Sequence, residues 1–268
     1  MTTEIRPQPR IDDGALEALK ATFRGDVIGQ EDPGYDDARR VQNGMIDKRP
    51  ALVVRPADVA DVIAAVGFGR DQHLDIAVRS GGHSAPGFGT VDDGLVIDLS
   101  RMRGVRVDPV EKTARVEGGA LLGDVDHATH AFGLAVPAGI ISNTGVGGLT
   151  LGGGMGHLTR KLGLTIDNII EADVVLASGE LVTASATSNP DLYWAIRGGG
   201  GNFGVVTSFL FRLHPVSTVV AGPTLYALED APAVLRWWQD FIGQAPEELN
   251  GFFAFLMVPP APPFPEDL

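Results

Sequence analysis

The sequence predicts an α+β fold, and three stretches carry that prediction. A strand–helix–strand unit occupies residues 51–80, successive strands follow at 94–119, and helix and strand alternate again over 168–213. Apolar residues three or four positions apart indicate the helices, and short β-branched runs that end at glycine or proline indicate the strands. Sheets covered by helices follow from this pattern, rather than an all-helical or all-β chain.

The elements of the first third are predicted in order. Residues 12–24 indicate a short helix, and residues 25–34, which contain three glycines and a proline, indicate a loop. Residues 51–56 form a predicted strand that ends at Pro56, and 75–80 form the next. The helix between them carries an apolar face made of Val59, Val62, Ile63 and Val66.

The middle of the chain continues with further strands and helices. Strands are predicted at 94–100, 104–108, 112–119 and 205–213, with a hairpin over 168–185. Helices are predicted at 120–133 and 189–197, whereas the glycine-rich residues 134–156 show no clear period. Trp194, Trp237 and Trp238 fall at core-like positions of predicted helices, so we expect them to pack inside the protein.

Beyond Pro215 the pattern indicates the opening of a second domain. A strand at 218–228, a helix at 231–246 and a strand at 250–258 precede the proline-rich residues 259–268. One helix and two strands are too few to bury both faces of a sheet. We therefore expect an N-terminal segment at 1–46, a main domain at 47–217, and the beginning of an incomplete domain at 218–268.

Composition narrows the class of partner. The net charge of −13 disfavours nucleic acid and anionic membrane surfaces, which leaves a small-molecule substrate as the expected partner. Because there is no cysteine, disulfides, thiolate metal sites and a cysteine nucleophile are excluded. His127 and His130 have metal-pair spacing but no third ligand, so no metal is expected. The absence of a signal sequence and of a long apolar run favours a cytoplasmic location.

Glycine is in excess, at 35 residues, and much of it lies in the clusters 81–89, 145–156 and 198–204. Gly199, Gly201 and Gly204 fit the dinucleotide pattern GxGxxG, but that motif follows a strand and opens a helix. Here a predicted helix precedes it and a strand follows. The order disfavours a classical NAD site, and no P-loop or GxSxG motif occurs.

The segment RSGGHS (79–84) is the sharpest candidate for a binding loop. Gly81 and Gly82 can expose consecutive backbone N–H groups to a pyrophosphate, which makes an anion-binding nest. His83 lies in the same loop. A loop histidine is also commonly structural, and the residues alone leave both roles open.

Three long segments resemble, in order and spacing, the FAD-binding domain of the vanillyl-alcohol oxidase and p-cresol methylhydroxylase superfamily. They are RSGGHSAPGFGTVDDGLVIDLSRM (79–102), PAGIISNTGVGGLTLGGGMGHLTRKLGLTIDNIIEADVVLASGELVTAS (137–185) and NPDLYWAIRGGGGNFGVVTSFLFRLHPV (189–216). Bacterial berberine-bridge-enzyme-like oxidases are the most similar members. The resemblance implies an FAD-binding domain of two α/β subdomains, followed by the start of a substrate domain.

The resemblance also implies which residues meet the flavin. His83 matches the histidine that commonly bonds to the 8α-methyl carbon, residues 79–84 would wrap the pyrophosphate, and 137–156 would pack beside the ribityl chain and isoalloxazine. The full cofactor-binding set is Arg79, Ser80, Gly81, Gly82, His83, Ser84, Pro137, Gly139, Thr144, Gly145, Gly148, Gly152, Gly153, Gly156, His157, Gly204 and Val205. For His157, a hydrogen bond to backbone at a helix start is an equal alternative.

Many relatives hold the flavin a second time through a cysteine just before the GVGG segment, where this chain has Ile141, Ser142, Asn143 and Thr144. A single link through His83 is therefore expected. The resemblance implies an oxidase that takes a hydride from an alcohol, a sugar or a carbon next to an amine, and reduces O2 to H2O2. No catalytic residue is assigned. A flavin-binding module without turnover and an NAD-dependent dehydrogenase are the alternatives.

Overall fold

The computed structural model describes residues 11–255 and 257, and these divide into two units on either side of the Gly222–Pro223 bond. Helices and mixed sheets make up the first unit, so the α+β prediction is confirmed. The second unit contains one α-helix within its described residues. The division at residues 46 and 217 stays a prediction.

The first sheet has the strand order β1-β2-β4-β3. Its strands are β1 (Asp26–Gly29), β2 (Leu52–Arg55), β3 (Ile76–Arg79) and β4 (Leu95–Asp98). β2, β4 and β3 run parallel, and β1 pairs antiparallel with β2. The prediction of a loop over 25–34 was wrong in part, because Val27 and Ile28 pair with β2 and this pairing outweighs the local glycine signal.

Three helices accompany this sheet: α1 (Asp13–Thr22), α2 (Tyr35–Arg39) and α3 (Val59–Asp71). α2 contacts β1 and β2, α3 contacts β4, and α1 contacts α3. Asp58 caps the N terminus of α3, and its side chain accepts hydrogen bonds from the N–H groups of Ala60 and Asp61. Val62 and Val66 are buried as predicted, but Ile63 is 36% exposed. The buried face of α3 runs through residues 62, 65, 66 and 69, which places Ile63 at its margin.

The second sheet is antiparallel throughout, with the order β5-β6-β10-β8-β9. Its strands are β5 (Val105–Asp108), β6 (Thr113–Glu117), β8 (Ile169–Val175), β9 (Leu181–Ser185) and β10 (Val205–Arg212). Helices α4 (Leu122–His130) and α7 (Pro190–Ile196) contact its two edge strands. Phe209 and Phe211 stack at 5.5 Å between ring centroids in the core beneath it.

The stretch without a clear period contains short elements. They are β7 (Leu134–Ala135), α5 (Val146–Leu151) and, just beyond it, α6 (Thr159–Leu162). β7 pairs with β11 (His214–Pro215) as a small separate sheet. Elements this short fall below the window over which apolar periodicity can be recognised.

The second unit contains α8 (Ala231–Gln244), as predicted. Strands at 218–228 and 250–258 were predicted wrongly, because the described residues there form no ladder with a neighbouring strand. Residues 256 and 258–268 lie outside the described part of the chain. The predicted burial of tryptophan was also wrong for Trp194 and Trp237, which are 78% and 52% exposed, whereas Trp238 packs edge-on against Phe253.

Candidate cofactor-binding site

The loop after β3 meets the loop before α5 backbone to backbone. A methyl group built on Gly81 would lie 2.2 Å from the Gly145 nitrogen, and one built on Gly145 would lie 2.0 Å from the Gly81 nitrogen. Both distances are far inside van der Waals contact, so any side chain at either position would force the loops apart. The two glycine clusters singled out in the sequence therefore form one structure.

The loop before α5 is fixed on the start of α4. The carbonyl of Thr144 accepts a hydrogen bond from the N–H of Leu122 at 2.9 Å, and Val146 donates to the carbonyl of Ala120 at 2.8 Å. Asp124 in turn caps α4 by accepting from the Leu121 N–H at 2.8 Å. The hydrogen bonds of Arg103 hold the pKa of Asp124 below its usual value, so this cap is a charged one.

His83 joins the two loops through its side chain. Its Nε2 atom lies 3.1 Å from the carbonyl oxygen of Asn143, and the residue is half-buried. A carbonyl oxygen only accepts, so Nε2 carries the hydrogen and donates it. Nδ1 has no hydrogen-bond partner among the described residues. The imidazole is thus oriented with one nitrogen bonded and the other available.

Ser80 Oγ, a buried hydroxyl in this contact, lacks a hydrogen-bond partner among the described residues, as do the buried hydroxyls of Thr90 and Thr150. Ser80 Oγ lies close to the backbone of Gly145, in the same loop contact. Gly148, by contrast, faces open space, with no protein atom within 4 Å of a methyl group built on it. Buried polar atoms without partners are uncommon, and together with the unfilled space they fit a polar ligand that packs against glycine.

The end of α2 and the residues after it, 38–43, contact the His83 loop and are called the strap below. The N–H of Gln42 donates to the carbonyl of Gly82 at 3.1 Å, and Asn43 Nδ2 donates to the carbonyl of Ala85 at 2.9 Å. Gly82 has a φ of +71°, a left-handed conformation that favours glycine. Sequence reasoning missed the strap, since nothing in its local pattern indicates what it contacts.

Arg79 and Ser84 flank the loop but are engaged elsewhere. The Arg79 guanidinium is buried and donates to the carbonyls of Ala38 and Arg40 and to Asp98. Ser84 closes a turn, with its hydroxyl accepting from the N–H of Phe88 at 3.1 Å. Their assignment to the cofactor stays a prediction, and the carboxylate partner of Arg79 was not anticipated.

The remaining predicted residues divide into two groups. The first group lies in the chain before and after α5: Pro137, Gly139, Gly152, Gly153, Gly156 and His157. A methyl group on Gly139 would lie 2.5 Å from Leu149 of α5, and one on Gly156 would lie 1.7 Å from the carbonyl of Ala138. Val205 instead begins β10 and pairs with Val175 of β8, and Gly204, just before it, lies close to the Val175 carbonyl. They follow α7 in the order helix, loop and strand, as the sequence predicts.

Within the described residues, no group of three or more histidine, aspartate or glutamate side chains is placed to hold a metal ion. The same part of the chain contains no helix with the length and apolar character needed to span a bilayer.

Comparison with known proteins agrees with this geometry. Residues 50–185 match the family model described as FAD binding domain. An FAD-linked oxidoreductase of Dictyostelium discoideum is 49% identical over 66% of this chain and 39% of its own length. The (R)-6-hydroxynicotine oxidase of Paenarthrobacter nicotinovorans is 40% identical over 74% of this chain and 43% of its own.

A solved structure shows the same fold. Glucooligosaccharide oxidase from Acremonium strictum superposes with a TM-score of 0.70 at 37% identity, over 74% of this chain and 42% of that one, and its flavin is described as 6-S-cysteinyl, 8α-N1-histidyl FAD. The chain spans about half the length of the curated relatives it matches. With the FAD-binding family model over residues 50–185, these likenesses show that the chain belongs to the FAD-binding domain family of the vanillyl-alcohol oxidase and p-cresol methylhydroxylase superfamily.

Proposed function

We propose that this chain is the flavin-binding part of an FAD-dependent oxidase, with the flavin attached covalently through His83. The observation that carries the proposal is the contact of Gly81 with Gly145, which sets a half-buried imidazole beside Asn143 at the edge of a glycine-lined space. Bound FAD supplies a two-electron acceptor that takes hydride from a substrate carbon and is reoxidised by O2 to give H2O2. The substrate class is an alcohol, a sugar or a carbon next to an amine, in a cytoplasmic setting.

The chain's own groups have distinct roles in this proposal. Ser80 Oγ and the N–H groups of the 80–83 loop would bind the pyrophosphate, for which the buried, unpartnered hydroxyl is the supporting observation. Gly148 would lie against the cofactor, because the space beside it is open. Gly81 and Gly145 allow the two loops to meet, because a side chain at either position would force them apart.

The covalent link is a balanced reaction. A C–N bond forms between an imidazole nitrogen of His83 and the 8α-methyl carbon, while one methyl C–H and the imidazole N–H are broken. The two hydrogens leave as protons with two electrons, which O2 accepts as H2O2. The protein therefore gains the mass of FAD less two hydrogens.

A second candidate is a flavin-binding module without turnover. Tyr35 and Tyr193 donate their hydroxyls to the carbonyls of Pro50 and Ile169, both at 2.6 Å, and are occupied structurally. Among the described tyrosines this leaves Tyr226 of the second unit, which is half-exposed. A base for substrate deprotonation is thus not provided by the first unit's tyrosines, which favours a chain that binds flavin and leaves the chemistry to other residues.

Mass spectrometry of the intact chain and of the tryptic peptide 80–101 tests the proposal. We expect the added mass on that peptide in the wild type, its loss in His83→Ala, and its retention in the control His127→Ala on α4. Flavin that stays bound to His83→Ala after denaturation would contradict the link. Peroxide released from the yellow protein on addition of alcohols, sugars or amines separates the oxidase from the binding module.

A further inference from the structure

The guanidinium of Arg79 is anchored between a carboxylate and the strap. Arg79 is 5% exposed, and its Nη2 donates to Asp98 Oδ2 at 2.8 Å and to the carbonyl of Ala38. Its Nη1 donates to the carbonyl of Arg40 at 3.1 Å. The planar fork of arginine suits this arrangement, because it directs several donors at fixed angles, whereas lysine presents a single point charge.

Strand register explains why the charge partner is Asp98. Arg79 ends β3 and Asp98 ends β4, and the two residues are paired directly across these parallel strands. Burial alone would raise the pKa of Asp98, but the charge and hydrogen bonds of Arg79, with a further bond from Arg55, hold that pKa below its usual value. The carboxylate therefore stays ionised and fixes the guanidinium in place.

The strap in turn fixes both flanks of His83. Gln42 bonds the carbonyl of Gly82, one residue before His83, and Asn43 bonds the carbonyl of Ala85, two residues after it. Arg79 binds the strap at Ala38 and Arg40, only a few residues earlier. Asp98 is thus connected, through hydrogen bonds of Arg79 and the backbone of the strap, to the backbone on either side of the imidazole.

We propose that Arg79 is a positioning residue for His83, acting through the strap, rather than a ligand of the cofactor's phosphates. The inference deepens the proposed function and rests on it, because the property that Arg79 controls is the rate at which His83 bonds to FAD. A shift of about 1 Å in a reacting group can slow a reaction by about 100-fold. Loosening the strap should therefore slow attachment more than it weakens reversible binding of FAD.

Matched variants of the full chain separate these roles. Arg79→Lys keeps the charge and loses the fork, Asp98→Asn removes the anchor, and Arg55→Gln removes a partially exposed partner of the same carboxylate that does not bind the strap. Asn43→Ala removes the exposed hydrogen bond between the strap and the carbonyl of Ala85. Each protein is expressed without flavin and mixed with FAD. Covalent mass against time, the dissociation constant of FAD before attachment, and the melting temperature are then measured.

We expect attachment to slow by about 10- to 100-fold in Arg79→Lys and Asp98→Asn, and by less in Asn43→Ala, with FAD affinity within about threefold of wild type. Arg55→Gln should lower the melting temperature and leave the attachment rate unchanged. The inference would be overturned if Arg55→Gln slowed attachment as much as Arg79→Lys does at the same loss of melting temperature. It would also be overturned if Arg79→Lys weakened FAD binding while Asp98→Asn attached FAD at the wild-type rate. Wild-type protein that binds FAD only reversibly would instead overturn the proposed link, before any variant is compared.

Discussion

The Nε2 atom of His83 donates a hydrogen bond to the carbonyl oxygen of Asn143, 3.1 Å away, and this bond joins two loops that are 60 residues apart in the chain. The bond also distinguishes the two ring nitrogens. With its hydrogen on Nε2, the neutral imidazole presents the lone pair of Nδ1 to any electrophile placed at the loop contact.

The flavin should therefore be attached through Nδ1. Proteolysis of the loaded protein, followed by NMR of the purified flavin peptide, identifies which ring nitrogen is substituted. A bond to Nε2, the nitrogen that carries the hydrogen before attachment, would contradict this expectation.

The two glycines Gly145 and Gly148 should respond in opposite ways to the same methyl group. Gly145→Ala meets the backbone of Gly81 and should lower the free energy of unfolding by about 1–3 kcal/mol or more. Gly148→Ala meets no protein atom and lies within a helix, so the protein without flavin should be stabilised by up to about 1 kcal/mol.

The flavin affinity of Gly148→Ala should nevertheless fall, by about tenfold, because the methyl group occupies space proposed for the cofactor. Thermal unfolding without FAD and fluorescence titration with FAD measure the two effects independently. A Gly148→Ala variant that is more stable and binds FAD as tightly as wild type would remove Gly148 from the site.

Acid should weaken the fold through Asp98. Its folded pKa lies below the usual value of about 3.9, so the carboxylate's stabilising contribution is complete above that value and is lost as the pH falls through the folded pKa. Asp98→Asn should cost about 3–5 kcal/mol at pH 7 and progressively less below pH 4. Urea unfolding of both proteins between pH 7 and pH 3 checks this, and a difference that is constant with pH would contradict it.

His214 should contribute a second pH dependence, at a higher pH. Its Nε2 lies 2.7 Å from Asn168 Oδ1, and burial, with the nearby charge of Arg212, lowers the pKa of the imidazole. The neutral form is therefore favoured in the folded state, and stability falls as the pH drops below the unfolded value of about 6.5.

His214→Gln should abolish that part of the slope, since a glutamine amide does not titrate. Melting temperatures of wild type and variant between pH 7.5 and pH 5 provide the measurement. Parallel curves over this range would show that His214 does not titrate as expected.

The sequence predicted the long periodic elements and the glycine clusters because both are local signals. The hairpin of β8 and β9, α3 and α4 follow directly from their apolar spacing, and the segment 79–84 is recognisable from its composition. What could not be predicted depends on contacts between distant residues. β1 forms only because β2 is beside it, and the strap lies on the His83 loop only after α2 is placed.

Asp98 illustrates why contacts between distant residues are difficult to predict from sequence. A lone acidic residue ending the apolar strand LVID, with Arg79 ending IAVR, is a signal for a paired charge, but only the parallel register of β3 and β4 brings the two together. Ile63 was predicted to lie on the apolar face of α3 but is exposed, because a helix pattern fixes the apolar face only to within about one residue.

The meeting of Gly81 with Gly145 has a thermodynamic consequence. Gly81 follows β3 of the first sheet, and Gly145 is held by an isolated β-bridge to Leu121 just before α4, so a ligand seated across the two glycines binds only when both segments are in place. Reversible binding would favour assembly in proportion to the logarithm of ligand concentration. A covalently attached ligand stays at the site whatever the ligand concentration in solution, so dilution would no longer remove this stabilisation of the loop contact.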